Sequence, residues 1–306
     1  MPRRRKGQNI NGWLVLDKPL EISSTGALGR ARWLLDAKKA GHGGTLDPLA
    51  TGVLPLAFGE ATKTLSFILE RRKTYIFDVT FGTATNTADA EGDICETSGF
   101  IPTAQDIERV LPAFTGPIKQ TPPAYSAIKV DGERAYKKAR SGEEVKLKAR
   151  DVTVHALRFS GLEDGVASFE ADVSKGTYIR SLGVDIAKAA GSCGHISRLR
   201  RTRVGQMTLE GSITLDDLEK KVAKASGKGH IPENLLFETD WALDDIPALA
   251  VSSTDADRLR HGKQITLPQA PEGLVRAKTE AGALVSLLEV ASDKSTTIVR
   301  NFNDIA

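Results

Sequence analysis

Between residues 41 and 63 the chain reads GHGGTLDPLATGVLPLAFGEATK, and its loop portion carries one acid, Asp47. Glycines at 41, 43 and 44 free the backbone to take shapes that a Cβ forbids, so another chain can come close. Pro48 biases Asp47 toward an extended geometry and removes the next backbone donor. The loop therefore displays one carboxylate in a fixed pose. A carboxylate so held can attack carbon or remove a proton. Other readings of the stretch are a turn or cap role for Asp47, a phosphate loop, and a metal pair with His42. The phosphate loop fails, because G-x-G-x-x-G needs glycine at Leu46 and no G-x-x-x-x-G-K-[ST] occurs. The metal pair lacks further ligands at a recognisable spacing.

Stepping out from this loop, the apolar run 53–58 reads as a buried strand that anchors it, and 59–62 as a turn into a helix. Residues 12–16 read as a strand. Ser23 or Ser24 then caps a helix with Leu28, Ala31, Leu34 and Leu35 on one face. Residues 74–82 alternate, with Tyr75, Phe77, Val79 and Phe81 inward. Thr103 and Asp106 form a capping box ahead of a helix. Strands follow at 152–159 and 166–174, and Lys175-Gly176-Thr177 turns into a helix striped by Ile179, Leu182, Ile186 and Ala189. Arg180 falls in its first turn, where a cation opposes the helix dipole, so a partner must offset it. Asp47 is the expected partner. A strand at 194–203 sets Leu199 on the face opposite its flanking arginines. Thr214 and Asp217 cap another helix, and residues 225–229 read as a break. From Ile246 the elements shorten: a helix at 253–261, then strands at 273–279, 282–290 and 296–300.

At 306 residues the chain is long enough for two domains with their own cores. Two cysteines, Cys95 and Cys193, make neither a disulfide framework nor a zinc pattern, and no apolar run approaches a membrane span. A cytoplasmic protein without a membrane segment is expected. The whole chain carries only +3, yet residues 1–6, 129–150 and 195–206 each carry a net +4. The remainder is acidic, and such asymmetry suggests a footprint for a polyanion, the alternative being solvated charged faces. The scattered histidines have no ligand spacing, so neither metal nor cofactor is expected.

The segment GHGGTLDPLATGVLP resembles the catalytic motif of the bacterial TruB-type tRNA pseudouridine synthases. DKPLEISS, KTY, KGTYIRSL and HISRLRRTR resemble further segments of that family, and the likeness spans roughly residues 9 to 205. It implies that Asp47 is catalytic, that Arg180 holds it, and that Tyr75 packs on the target base and shares in proton transfer. It also implies that His42, Tyr178 and Leu199 meet the substrate and that Lys18 and Asp89 belong to the same substrate-binding set, Lys18 in a supporting role and Asp89 paired with the arginine. For Lys18, Asp89 and Leu199 the residues alone equally allow a strand-end ion pair, a turn-forming acid and a core leucine. Glu21 stands where the family usually has glycine, and Gly43 where it commonly has threonine.

The expected fold is α/β (α+β), a mixed, mainly antiparallel sheet with flanking helices. Residues 1–240 would form the catalytic domain, with an RNA-clamping insertion at about 120–150. Residues 246–306 would form a small β-rich domain resembling the family's C-terminal PUA domain. The implied reaction is isomerisation of the uridine at position 55 in the tRNA T loop, by a monomer without a protein partner. An RNA-folding protein with secondary catalysis, or a synthase for another RNA, are the alternatives. Arg180 is expected to lower the pKa of Asp47 by ion pairing.

Overall fold

The computed structural model describes residues 7–126, 129–130, 133–135, 147–225 and 227–303. The basic stretch 1–6 and most of the expected RNA-clamping insertion lie outside these residues.

The chain runs β1 (Gly12–Lys18), α1 (Ser24–Leu34), β2 (Ala40–His42), β3 (Ala50–Phe58), a 3-10 turn, α2 (Leu65–Glu70), β4 (Lys73–Phe81), β5 (Thr83–Thr85) and β6 (Ile94–Thr97). There follow α3 (Ala104–Val110), β7 (Gly116–Gln120), β8 (Lys129–Val130), β9 (Glu133–Arg134), β10 (Arg150–Glu163), β11 (Val166–Val173), α4 (Ile179–Ala189) and β12 (Gly194–Val204). The remainder is β13 (Met207–Thr208), β14 (Ile213–Thr214), α5 (Leu215–Lys224), β15 (Ala248–Ala250), α6 (Ser253–Arg260), β16 (Gly273–Lys278), β17 (Leu284–Val290) and β18 (Thr296–Asn301).

The main sheet has the order β14-β1-β3-β12-β4-β11-β10-β7, with β2 on β3 and β13 on β12. It is mixed: β1 with β14 and β3 with β12 are parallel, and the other pairs are antiparallel. Strands β1 and β3 read as unbroken apolar runs because both their faces are covered. Leu14, Leu54, Leu56 and Phe58 join one core cluster while Trp13, Val15, Val53 and Ala57 join another. Strand β4 alternates instead, with Tyr75, Phe77, Val79 and Phe81 buried and Ile76, Asp78 and Thr80 half-buried. Phe77 stacks on Phe169 of β11 at 5.2 Å.

Helix starts follow the expected chemistry. Ser23 caps α1, Thr103 and Asp106 form a reciprocal box on α3, and Thr214 caps α5. The inward face of α1 is made by Ala27, Ala31 and Leu34, with Leu28 only half-buried. Glu21, between β1 and α1, holds φ +63, a left-handed shape that costs a side-chain-bearing residue energy and explains why glycine suits this position.

After Trp241 the chain enters a second layer. Strands β15-β16-β17-β18 form their own sheet, covered by α6, with Val275, Ala277, Leu288 and Leu259 in its core. It meets the first unit through Leu243, Ile246, Leu284, Leu287 and Phe302, against which Phe67 packs. Asp240 seals the junction, accepting from Arg276 at 3.1 Å and pairing with Lys278 at 2.8 Å. Arg71, just after α2, binds both carboxylate oxygens of Asp245.

Candidate active site

The Asp47 loop is pinned on both sides of the acid. Ser24 Oγ donates to the Leu46 carbonyl at 2.9 Å and accepts from the Leu46 amide at 2.8 Å. Past the acid, the Pro48 carbonyl accepts from Lys18 Nζ at 3.2 Å and from the Glu21 amide at 3.0 Å. Upstream, the Gly43 amide donates to Pro55 at 2.8 Å and Arg201 Nη2 to the Gly44 carbonyl at 3.0 Å. Five residues from three stretches of the chain thus fix where one carboxylate points.

The partner expected from the helix-dipole argument is present. Arg180 Nη2 lies 2.9 Å from Asp47 Oδ2, and Nη1 lies 3.3 Å from Asp89 Oδ2. The remaining bonds of the guanidinium go to the carbonyls of Thr87 (3.1 Å) and Tyr125 (2.9 Å). Its side chain is 7% exposed and that of Asp89 3%, while Asp47 keeps 38%, opening into the cleft. One buried cation therefore bridges one accessible and one inaccessible acid. Asp89 is itself fixed by Thr87 Oγ1 at 2.6 Å and the Glu91 amide at 3.1 Å. Its loop docks on β12 through hydrogen bonds of Ala88 and Ala90 with Ile196.

The charge balance corrects one expectation. Arg180 does pull the Asp47 pKa down, but burial is the larger effect and Asp89 adds to it, so the carboxyl titrates above its ordinary range. Asp47 is the more basic carboxylate for it, which suits proton abstraction or attack on carbon. Crowding by Asp89 and Asp47 after burial likewise raises Glu91, and burial raises the Tyr178 hydroxyl.

A cleft of about 1040 Å³ gathers Asp47, Asp89, Arg180, His42, Tyr75, Tyr178 and Leu199. Across adjacent strands Tyr75 stands opposite Arg201, and Phe77 opposite Leu199. Tyr178 precedes α4 and is held at both backbone atoms by Gln120: its amide donates to Oε1 at 2.7 Å and its carbonyl accepts from Nε2 at 3.1 Å. His42 lies half-buried in the wall, its pKa lowered by burial and then by Arg201, and its Nδ1 has no partner among the described residues.

Lys18, expected in the substrate-binding set, does not line the cleft. Its fully buried ammonium donates to the carbonyls of Pro19, Ile22 and Pro48, so it braces the loop behind Asp47, and burial lowers its pKa to about 8. The arginines of β12 have partners that the sequence did not announce. Arg198, Arg200 and Arg203 pair with Asp78, Asp17 and Asp172, and Arg201 is buried at 1% exposure. The three ion pairs stitch the sheet together, and Arg198 and Arg203 remain exposed while making them. Gln120, Ser24 and Arg201 are the positioning residues that sequence reasoning passed over. Ser24 and Arg201 stand within DKPLEISS and HISRLRRTR, but neither motif says which carbonyls they hold, and Gln120 carries no signal of a role.

Among the described residues no helix is long and apolar enough to cross a membrane, and no group of three or more His, Cys, Asp or Glu side chains could hold a metal ion.

Comparison with known proteins adds three findings. Residues 32–179 match the TruB family pseudouridylate synthase N-terminal domain, and residues 180–244 match the tRNA pseudouridylate synthase B C-terminal domain. The tRNA pseudouridine synthase B of Caulobacter sp. (strain K31) is 49% identical over 290 residues, covering 94% of this chain and 92% of its own. That of Bradyrhizobium diazoefficiens is 48% identical, covering 94% and 85%. Among solved structures, a Cbf5-Nop10-Gar1 complex superposes with TM-score 0.72 at 27% identity, covering 95% of this chain and 85% of that one. An H/ACA RNP bound to a substrate RNA containing 2'-deoxyuridine gives the same TM-score at 25% identity, also covering 95% and 85%.

Proposed function

Because this chain belongs to the TruB family of pseudouridylate synthases, we propose that the tRNA uridine it isomerises is the one at position 55 of the T loop, with Asp47 as the reacting carboxylate. Conversion of uridine to pseudouridine breaks the bond from C1′ to N1, forms one from C1′ to C5, removes the proton on C5 and leaves one on N1. Neither a redox group nor an energy source enters that balance. One carboxylate that can attack C1′ or remove a sugar proton starts either route.

The observation that carries the reading is the Arg180 bridge. A guanidinium locked between Asp47 and Asp89 fixes the acid's direction without neutralising its basicity, since burial still raises its pKa. Tyr75 and Tyr178 border the same cleft and supply surfaces for an extruded base. Each stacked base recovers on the order of 1–3 kcal/mol, against roughly a few kcal/mol of unstacking. The Tyr75 hydroxyl is the group assigned to the C5 proton, and His42 and Leu199 to the space around the base. Lys18 acts through the loop it braces.

Residues 1–240 serve as the catalytic unit, and the four-stranded unit after Ile246 as a PUA-like RNA-binding module. The reading takes the protein to act as a monomer. Pseudouridine formation in an unmodified tRNA transcript, with RNA binding measured alongside, tests the reading. Wild type should modify the T-loop uridine, and Asp47→Asn should bind within about threefold yet turn over at least about a thousandfold more slowly. Tight binding by wild type without modification overturns the T-loop assignment and favours an RNA-folding role or another RNA.

A further inference from the structure

The cleft is electrostatically divided. One end holds the acids Asp47, Asp89 and Glu91 around Arg180. The lining also includes Gly44, Leu69, Lys73 and Arg201, and these two cations make no ion pair among the described residues. This sets Arg201 apart from Arg198, Arg200 and Arg203, each of which has one. Its Nε donates to the Val53 carbonyl at 2.7 Å and its Nη2 to Gly44, while Nη1 has no partner among the described residues. Gly44, at φ +123, leaves the flank of Nη1 uncovered, since a Cβ there would stand 3.5 Å from it. Lys73 spends two of its three protons on the carbonyls of Leu69 and Arg71, both at 2.6 Å, and keeps one. The nearby carboxylate of Glu70 is engaged by Lys175.

Two cations in a nearly buried setting repel one another and cost free energy, which the pull of Glu70 on Lys73 offsets only in part. Their mutual effect is visible in Lys73, whose pKa falls to about 8 through burial and then through Arg201. A ligand that brings one negative charge would reverse that cost. The placement says which charge. Lys73 and Tyr75 share a face of β4, two residues and so about 7 Å apart along the strand, and Arg201 stands opposite Tyr75. The cations therefore begin beside the ring assigned to the base, with Arg201 paired to Tyr75, and continue to Lys73 two residues along β4.

We propose that Gly44, Lys73 and Arg201 form a phosphodiester subsite that grips a backbone phosphate flanking the extruded uridine. The proposal rests on the reading of the cleft as the uridine site. It gives the cleft a polarity along the RNA strand: base beside the acids, backbone beside the cations. Ordering a phosphate there also fixes the sugar against Asp47, since base, sugar and phosphate move as one unit.

The test uses the full chain and a T stem-loop RNA, native or carrying a single uncharged methylphosphonate linkage on the 5′ or 3′ side of the target uridine. For wild type, one of the two modified RNAs should bind about tenfold more weakly than the native RNA. Lys73→Gln should bind native RNA about as weakly, lose nothing further on that same modified RNA, and show a salt slope shallower by about 0.7. The proposal is overturned if neither methylphosphonate weakens wild type, or if Lys73→Gln loses as much again on the modified RNA. The wild-type measurement needs no variant, so a folding defect in Lys73→Gln cannot hide a failure. Pseudouridine formation in the native RNA is scored separately: its absence overturns the T-loop reading while the phosphate result still stands or falls by binding.

Discussion

At the scale of single residues, the site works by making one acid reluctant to stay charged and then holding it in place. Because Asp89 adds to the rise in the Asp47 pKa, removing its charge must lower that pKa. Asp89→Asn should therefore move the acid limb of kcat/KM to lower pH, read from initial rates on a T stem-loop across a pH series. A limb that stays put or moves up would mean that Asp89 does not act on Asp47 through its charge. The same balance bears on stability. A carboxyl whose folded pKa lies above its unfolded value contributes stability that is present at low pH and lost as pH rises through the folded pKa. Ionised Asp47 thus costs stability at neutral pH, and Asp47→Asn should raise Tm there while leaving it unchanged in acid, as thermal scans at both pH values would reveal. These residues differ in how legible they were. Asp47 and Arg180 stand in motifs, and the helix dipole alone demanded a partner for Arg180. The direction of the Asp47 shift was not legible, because it depends on how much water the walls exclude, and those walls come from distant segments. Lys18 was placed near the site but not given its role, since nothing in DKP announces three carbonyls converging on one ammonium.

At the scale of elements, patterning and caps announced most of what the sheet and helices do. Strands β4, β10 and β11 and the starts of α1, α3 and α5 follow from alternation and capping residues. What patterning could not give is the order of strands, because β3 and β12 pair in parallel across some 150 residues and no local signal encodes that neighbour. The ion pairs of Arg198, Arg200 and Arg203 were illegible for the same reason: their carboxylates lie on β4, β1 and β11. Between β1 and α1 the connection carries a local conflict, Glu21 at φ +63. Glu21→Gly should stabilise the protein by about 0.5–1 kcal/mol in urea unfolding, because relief of the left-handed strain outweighs the added freedom of the unfolded chain. A loss of stability would show that the side chain of Glu21 makes a compensating contact.

At the scale of the molecule, two units meet across a mixed seam in which Asp240 gathers two cations from β16. Arg276→Gln removes one of them and its bond to the Ile246 carbonyl at 2.8 Å. Amide exchange should then quicken at residues 241–246 and 273–278, for a local loss of about 1–3 kcal/mol, and stay unchanged in β3 and β4. Uniform acceleration throughout the chain would mean that the seam supports global rather than local stability. The parallel contact of β3 with β12 has a further consequence in time. Asp47 leads into the first of these strands, Leu199 and Arg201 sit on the second, and Tyr75 and Arg180 enter from segments between them. No contiguous stretch of the chain holds a working fragment of the chemistry. Helices can form and hairpins can close early, but the loop that these strands carry has no fixed shape until the ends of a long loop have met, an intrinsically slow event in folding. During refolding, recovery of turnover should trail recovery of helical signal, and catalysis becomes the last property the chain acquires.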